Sequence, residues 1–246
     1  MLTEELLRCT RGRSYSQVLD IGCGAGELSL AVARGRPQCS VMGVDISPQL
    51  IEAAKGRGER LENVDFVCAD AAEWQAPADF APEFLISRHG VMFFNEPELA
   101  FGHLARLAAP GAQLVFSCFR AAAENPFFTE VARLLPEPPE LGLPGPGPFA
   151  FADHHKVKTI LSSGGWGDAT FAPIEVAMIV GAGEDPVEDA VSYFTSIGPA
   201  ARIARELGQG ARDRFFDRLR RMAQNNCHEG VVSLPAAVWI VTAGKA

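Results

Sequence analysis

The chain contains no Cys-x-x-Cys pair, and its six cysteines (Cys9, Cys23, Cys39, Cys68, Cys118, Cys227) form no Cys/His cluster. That excludes a zinc ribbon or a disulfide framework, leaves no metal site to expect, and fits a reducing cytoplasm. Basic charge is also scarce. Twenty-two Lys and Arg against 30 Asp and Glu give a formal net charge of −8, too little positive field to hold a phosphate backbone, so a small molecule is the expected partner and nucleic acid is not. No long apolar run occurs either. The stretch PAAVWIVTAG near the C-terminus is far shorter than the roughly 20 residues of a membrane span, and MLTEELLRCTRGRS lacks the basic head and apolar body of a secretory signal. What is present is apolar residue content, 48% of 246 residues, enough for a substantial core in one large domain or two small ones.

Apolar runs of strand length alternate with amphipathic helical ones. SVMGVDI (40–46) reads as a strand. PQLIEAAKGRGERL follows at helical spacing, with Ser47 placed as N-cap and Pro48 as first helical residue. VDFVCAD and FLISRH (84–89) read as strands, PELAFGHLARLA as a helix closed by Pro110-Gly111, and QLVFSCF as the fifth strand. This order predicts a parallel sheet with helices on both faces. The segment 136–148, PEPPELGLPGPGP, holds six prolines and three glycines and excludes helix interior and central strand. DHHKVKTILSSGG is helical, ATFAPIEVAMIV a strand, 186–227 amphipathic helix and AAVWIVTAG a last strand.

The stretch VLDIGCGAGELSLAVA (18–33) places Gly22, Gly24 and Gly26 where the first strand turns into its helix. In open α/β sheets ligands bind there, because glycine permits positive φ and close approach, and a helix N-terminus offers free N–H groups. A dinucleotide fingerprint reads GxGxxG, whereas this one reads GxGxG with Asp20 two residues ahead of the first glycine. A carboxylate there repels a pyrophosphate and attracts a cation. Asp45 closes the second strand, where a carboxylate accepts from two ribose hydroxyls, and Asp70 closes the third, where it accepts from the adenine amine. The implied ligand has a ribose, an adenine and a positive group, and no phosphate. Helix N-capping is the competing reading of Asp45 and Asp70.

VLDIGCGAGELSLAVA, GVDIS, VDFVCADAAEW and LISRHGVMFF followed by PGAQLVFSCF resemble, in order, the motifs of class I S-adenosylmethionine-dependent methyltransferases. The resemblance spans about 17–119. The remainder, through FADHHKVKTILSSGGW and PAAVWIVTA, is similar to a bacterial small-molecule branch related to ubiquinone/menaquinone-biosynthesis methyltransferases. It implies a Rossmann-like, seven-stranded, mostly parallel α/β sheet with helices on both faces, an antiparallel final strand and a helical cap. It implies a single domain over 1–246, comprising a cofactor-binding core (17–119), a proline-rich loop region (120–152) and a cap insertion (186–227). Asp20 would face the methionine amino group of S-adenosylmethionine, and Gly22, Cys23, Gly24 and Gly26 would lie under methionine and ribose. Asp45 would hold the ribose, Ile46 would pack on the adenine, and Asp70 with Ala71 would read its edge. Ser87 and Arg88 would lie near the sulfonium, with a structural salt bridge as the alternative for Arg88. The family carries more helices ahead of the first strand, whereas only LTEELLRC precedes Val18 here.

Methyl transfer from a sulfonium needs alignment and desolvation, and needs a base only when the acceptor holds its proton. His89, just past the fourth strand, is the candidate general base or substrate contact, against a histidine satisfied by loop backbone. His154 and His155 begin a helix and read as its solvated start, His103 as structural, and His228 has no assigned task. VMFF with Phe93 and Phe94, NPFF and GPFAF suggest an apolar or aromatic pocket, with ordinary loop packing as the alternative. Arg120 is a candidate for a substrate carboxylate or phenolate, against a surface ion pair. The insertion 186–227 reads as a substrate cap or a homodimer surface. The expected activity is methylation of a small apolar or aromatic metabolite, with oxygen favoured as acceptor. The rivals are a protein that binds S-adenosylmethionine without methyl transfer or uses its sulfonium otherwise, and, more remotely, an NAD-dependent oxidoreductase.

Overall fold

A computed structural model describes residues 2–196 and 198–246 of the chain. After a short helix α1 (Leu2–Cys9) comes β1 (Gln17–Ile21), whose apolar residues are all buried. It is followed by α2 (Glu27–Gly35), β2 (Ser40–Asp45), α3 (Pro48–Gly58) and β3 (Val64–Cys68). Ser47 caps α3 as expected, its hydroxyl accepting from Leu50 N–H at 3.4 Å with Pro48 in the first turn. β4 (Phe84–Arg88), a 3-10 turn (Val91–Phe93), α4 (Pro97–Leu107) and β5 (Gln113–Phe119) complete the alternating part. Then come α5 (Pro126–Arg133), α6 (His154–Ser163), β6 (Trp166–Ala182), α7 (Pro186–Ser196), α8 (Gly198–Glu206), α9 (Gln209–Asn225), β7 (Cys227–His228) and β8 (Val231–Lys245). Segment 136–148 holds neither helix nor strand.

The strands form a sheet in the order β3-β2-β1-β4-β5-β8-β6, with β7 paired to β8 off this path. β1 to β5 run parallel to one another and β8 is antiparallel to β5. The order reverses beside β1, since β2 lies on one side of it and β4 on the other, and such a switch point leaves a crevice at the carboxyl ends of the strands. The expected count of seven strands becomes eight. The added one, β7, is a two-residue hairpin arm joined to β8 through Glu229 and Gly230, both at positive φ (51° and 78°), as a type I′ turn requires. So short an arm has no periodicity of its own to read.

The described residues fall into two compact units. The first comprises Met1–Phe119, Pro144–Ile174 and Val238–Ala246; the second comprises Arg120–Leu143 and Glu175–Ala237. The expected core 17–119 lies in the first and the helical segment 186–227 in the second, while the expected 120–152 region divides between them. In the first unit the core runs along the sheet through Leu19, Val44, Leu85, Leu114 and Phe116 and includes Phe101 and Phe151, all essentially solvent-free. In the second, buried Asn125 accepts from Ala237 N–H at 2.9 Å and donates to Arg120 and Ala121 carbonyls, and Phe127 packs edge-on to Phe128.

Candidate functional site

The loop after β1 is held down by its own backbone. Gly22 N–H and Cys23 N–H both donate to Val44 C=O, at 2.9 and 3.1 Å, while Gly22, Gly24 and Gly26 take φ of 64°, 55° and 80°. A Cβ on Gly22 would sit 2.8 Å from Gly90 Cα, and one on Gly90 would sit 2.5 Å from Ile21 O. The loops after β1 and β4 therefore pass backbone to backbone, with room for no side chain between them. Ser87 fastens this crossing: its buried hydroxyl donates to Ile21 C=O at 2.6 Å and accepts from Gly90 N–H at 3.2 Å. Gly26 is required by packing, since a Cβ there would lie 2.9 Å from the Phe66 ring.

Beyond these loops opens a cleft of ≈ 480 Å³ in the first unit, within the usual range of small-molecule sites. Gly22, Asp45, Ile46, Asp70, Ala71, His89, Phe93 and Phe94, all expected site residues, line it, and Gly90, Glu73, Glu96 and Leu99 join them. Ile46, Phe93 and Leu99 are 71%, 52% and 70% exposed, large apolar side chains left in water around one concavity. The Asp45 carboxylate accepts from Gly24 N–H and Ser47 N–H, each at 2.9 Å, and Asp70 accepts from Ala72 N–H at 2.9 Å. These backbone bonds fix both carboxylates at the rim, and each oxygen keeps lone-pair capacity for a ligand hydroxyl or amine.

Asp20, Cys23, Gly24, Gly26, Ser87 and Arg88 do not line that cleft. The Cys23 side chain lies in a core cluster with Leu30, Ile51 and Phe66, and burial pushes its thiol pKa up. Arg88 forms a two-pronged pair with Glu27 at 3.1 and 2.9 Å, and Glu27 also accepts from Thr3 of α1 at 2.7 Å. Arg120 belongs to the second unit, ion-paired with Glu124. Nε2 of His103 lies 2.8 Å from Trp74 O, His154 packs against Trp239 and Phe171, and among the described residues no His/Cys/Asp/Glu group is arranged to hold a metal.

Two buried titratable groups mark the heads of β1 and β4. Asp20 is 1% exposed; one oxygen accepts from Ser29 at 2.5 Å and the other, Oδ1, has no partner among the described residues. Burial raises its pKa to about 6, opposed by the Ser29 hydrogen bonds and Arg88. An orphaned carboxylate oxygen under a glycine loop fits a ligand that brings a cation. His89 sits at φ 62°, its ring stacked on Phe119 at 4.1 Å and 4°, with both ring nitrogens buried and unpartnered. Burial, with Arg88 adding to it, lowers its pKa to about 3, so the imidazole is neutral at physiological pH.

A parallel sheet with its order reversed beside β1 and a crevice at the carboxyl ends of its strands is an α/β domain of the Rossmann-like type. Residues 18–111 match the family model described as "Methyltransferase domain". Over this segment the chain is similar to a methyltransferase domain. The malonyl-[acyl-carrier protein] O-methyltransferase of Paenibacillus sp. (strain JDR-2) is 29% identical over 117 residues, 46% of this chain and 42% of that protein. The demethylmenaquinone methyltransferase of Thermus thermophilus is 34% identical over 104 residues, 42% of this chain and 47% of its own. The chain thus spans less than half the length of either relative. A solved structure of Haemonchus contortus phosphoethanolamine N-methyltransferase 2 in complex with S-adenosyl-L-methionine shares the fold, with a TM-score of 0.59 at 14% identity, over 99% of this chain and 52% of that one.

Proposed function

We propose that the chain binds S-adenosylmethionine at the carboxyl ends of β1 to β4 and transfers its methyl group to a small apolar or aromatic metabolite. The observation that carries this reading is the single cleft in which Asp45, Asp70 and the exposed Ile46 meet. Two fixed hydrogen-bond acceptors flanking a bare apolar surface suit a ribose, an adenine edge and an adenine face in that order. When bound, the cofactor supplies an electrophilic methyl group on a sulfonium, so the residues are left to bind, orient and exclude water.

In this reading Asp20 receives the ammonium through Oδ1, and Gly22 to Gly26, with Cys23 holding the loop from below, carry the methionine and ribose. Asp45 takes the ribose hydroxyls, Ile46 the adenine face, and Asp70 with Ala71 its edge. Ser87 and Arg88 support the site from beneath, with Arg88 acting through Glu27. Phe93 and Phe94 offer apolar surface to the ligand. Oxygen is the favoured acceptor, a preference supported by the O-methyltransferase relative. No described helix is long and apolar enough to cross a membrane.

The test is turnover. Purified chain given S-adenosylmethionine and a panel of small hydroxylated aromatics is expected to release S-adenosylhomocysteine with at least one of them. Tight cofactor binding without release across oxygen, nitrogen and carbon acceptors would instead support the reading in which the chain binds without methylating. NAD binding would support the oxidoreductase.

A further inference from the structure

Asp20, His89 and Ser117 each carry a buried side-chain atom without a hydrogen-bond partner among the described residues, and the register gathers them on one face of the sheet. Asp20 of β1 is opposite Ile86 of β4; two residues on, Arg88 is opposite Ser117 of β5. Side chains two apart on a strand, and those opposite each other on parallel neighbours, share a face. Asp20, Arg88, Ser117 and Phe119 therefore line up on that face. His89 joins them, since its ring stacks on Phe119 and its backbone N–H donates to Ser117 C=O at 3.2 Å. Phe149 extends the aromatic surface, 6.4 Å from Phe119.

Asp20 is accounted for by a ligand ammonium, but Ser117 and His89 are not. Ser117 is 0% exposed with an orphaned Oγ, and the neutral imidazole has one donor and one acceptor, both idle. Buried polar groups left unpaired destabilise the fold, and a non-glycine residue at positive φ adds strain. Stacking fixes the ring plane and so the direction of both nitrogens.

We propose that Ser117 and His89 form an acceptor subsite at the heads of β4 and β5 that takes an uncharged hydroxyl carried on an aromatic body. A hydroxyl both donates and accepts, matching an imidazole or serine that can do either, and Phe93 with Phe94, which line the same cleft as His89, match a flat apolar ring. Neither Ser117 nor the neutral His89 is a cation, and Arg88 on the same face is paired with Glu27, so the subsite favours an uncharged hydroxyl over a carboxylate or phosphate. The subsite rests on the methyltransferase reading for its purpose, but its binding does not depend on turnover.

The experiment titrates the full chain calorimetrically with S-adenosylhomocysteine alone, then with 1-naphthol and with 1-methoxynaphthalene, each with and without S-adenosylhomocysteine. The two probes differ in the hydroxyl hydrogen. Naphthol is expected to bind at least tenfold more tightly than the ether. Ser117→Ala, and independently His89→Phe, which retains a stacking ring, should each remove most of that preference while leaving the ether's affinity within twofold. Equal binding of the probes, no binding of either, or a preference that survives Ser117→Ala would overturn the subsite; the serine would then be satisfied by water. Failure of S-adenosylhomocysteine to bind would count against the cofactor reading, and the naphthol series without it still decides the subsite.

Discussion

Asp20 illustrates how one buried carboxylate sets two observables with opposite signs. Its folded pKa, about 6, stands above the ordinary value of 3.8, so its ionisation opposes folding. The stability present below pH 3.8 is lost as pH rises through about 6, amounting to about 3 kcal/mol by neutral pH. Asp20→Asn keeps the shape and removes the charge. It is expected to raise the midpoint of thermal unfolding of the ligand-free chain at pH 7 and to weaken S-adenosylmethionine binding at least tenfold. A variant that is less stable and binds normally would mean that Oδ1 faces no cation. His89 has the reverse linkage: its folded pKa, about 3, lies below the ordinary 6.5, so the stability it contributes above pH 6.5 is lost as pH falls toward 3. An imidazole held neutral in this way leaves no ionisation between pH 5 and 8, and the pH profile of turnover is expected to show no limb that His89→Asn removes. Asp45→Ala deletes charge-assisted bonds of about 1.5 to 3 kcal/mol each, so cofactor affinity should fall roughly tenfold to several hundredfold, read by calorimetry.

At the scale of elements, the site depends on two loops meeting without side chains between them. Gly90→Ala would drive a methyl group to 2.5 Å from Ile21 O and 2.8 Å from Ser87 Oγ, forcing the β4 loop away from the β1 loop. Overpacking of this kind costs about 1 to 3 kcal/mol; denaturant titration should show that loss, and cofactor binding should weaken with it. Gly24→Ala meets nothing within 4 Å and bears only the strain of its positive φ, so it should cost less in stability. The contrast explains what the sequence makes legible. Gly22, Gly24 and Gly26 stand out because their spacing is local, and Asp45 and Asp70 because each ends an apolar run. Gly90 and Ser117 carry no such signal. The importance of one lies in a contact with residue 22, and that of the other in a register with residue 88, and both arise only when distant strands pair. Ile46 is placed at the adenine by the family resemblance alone; nothing local in the sequence marks it. The apolar runs 169–180 and 236–244 fall inside β6 and β8, which extend beyond them to 17 and 15 residues.

The whole chain carries eight net negative charges, and the cleft concentrates them. Asp45, Asp70, Glu73 and Glu96 line it with no lysine or arginine among the lining residues. S-adenosylmethionine has one positive charge more than S-adenosylhomocysteine, so this field attracts the cofactor more than its product. Raising salt from about 0.01 M to 1 M shortens the screening length from about 30 to 3 Å. The affinity for S-adenosylmethionine should accordingly fall with salt more steeply than that for S-adenosylhomocysteine. Equal slopes would place the sulfonium outside the reach of these carboxylates. The glycine loop and the three aspartates are proposed to hold S-adenosylmethionine. The most direct measurement is calorimetric titration of the purified chain with S-adenosylmethionine, with S-adenosylhomocysteine and, as control, with NAD. Micromolar binding of the first two and none of NAD is the predicted result; absence of binding by either adenosyl compound, or binding of NAD in their place, would contradict it.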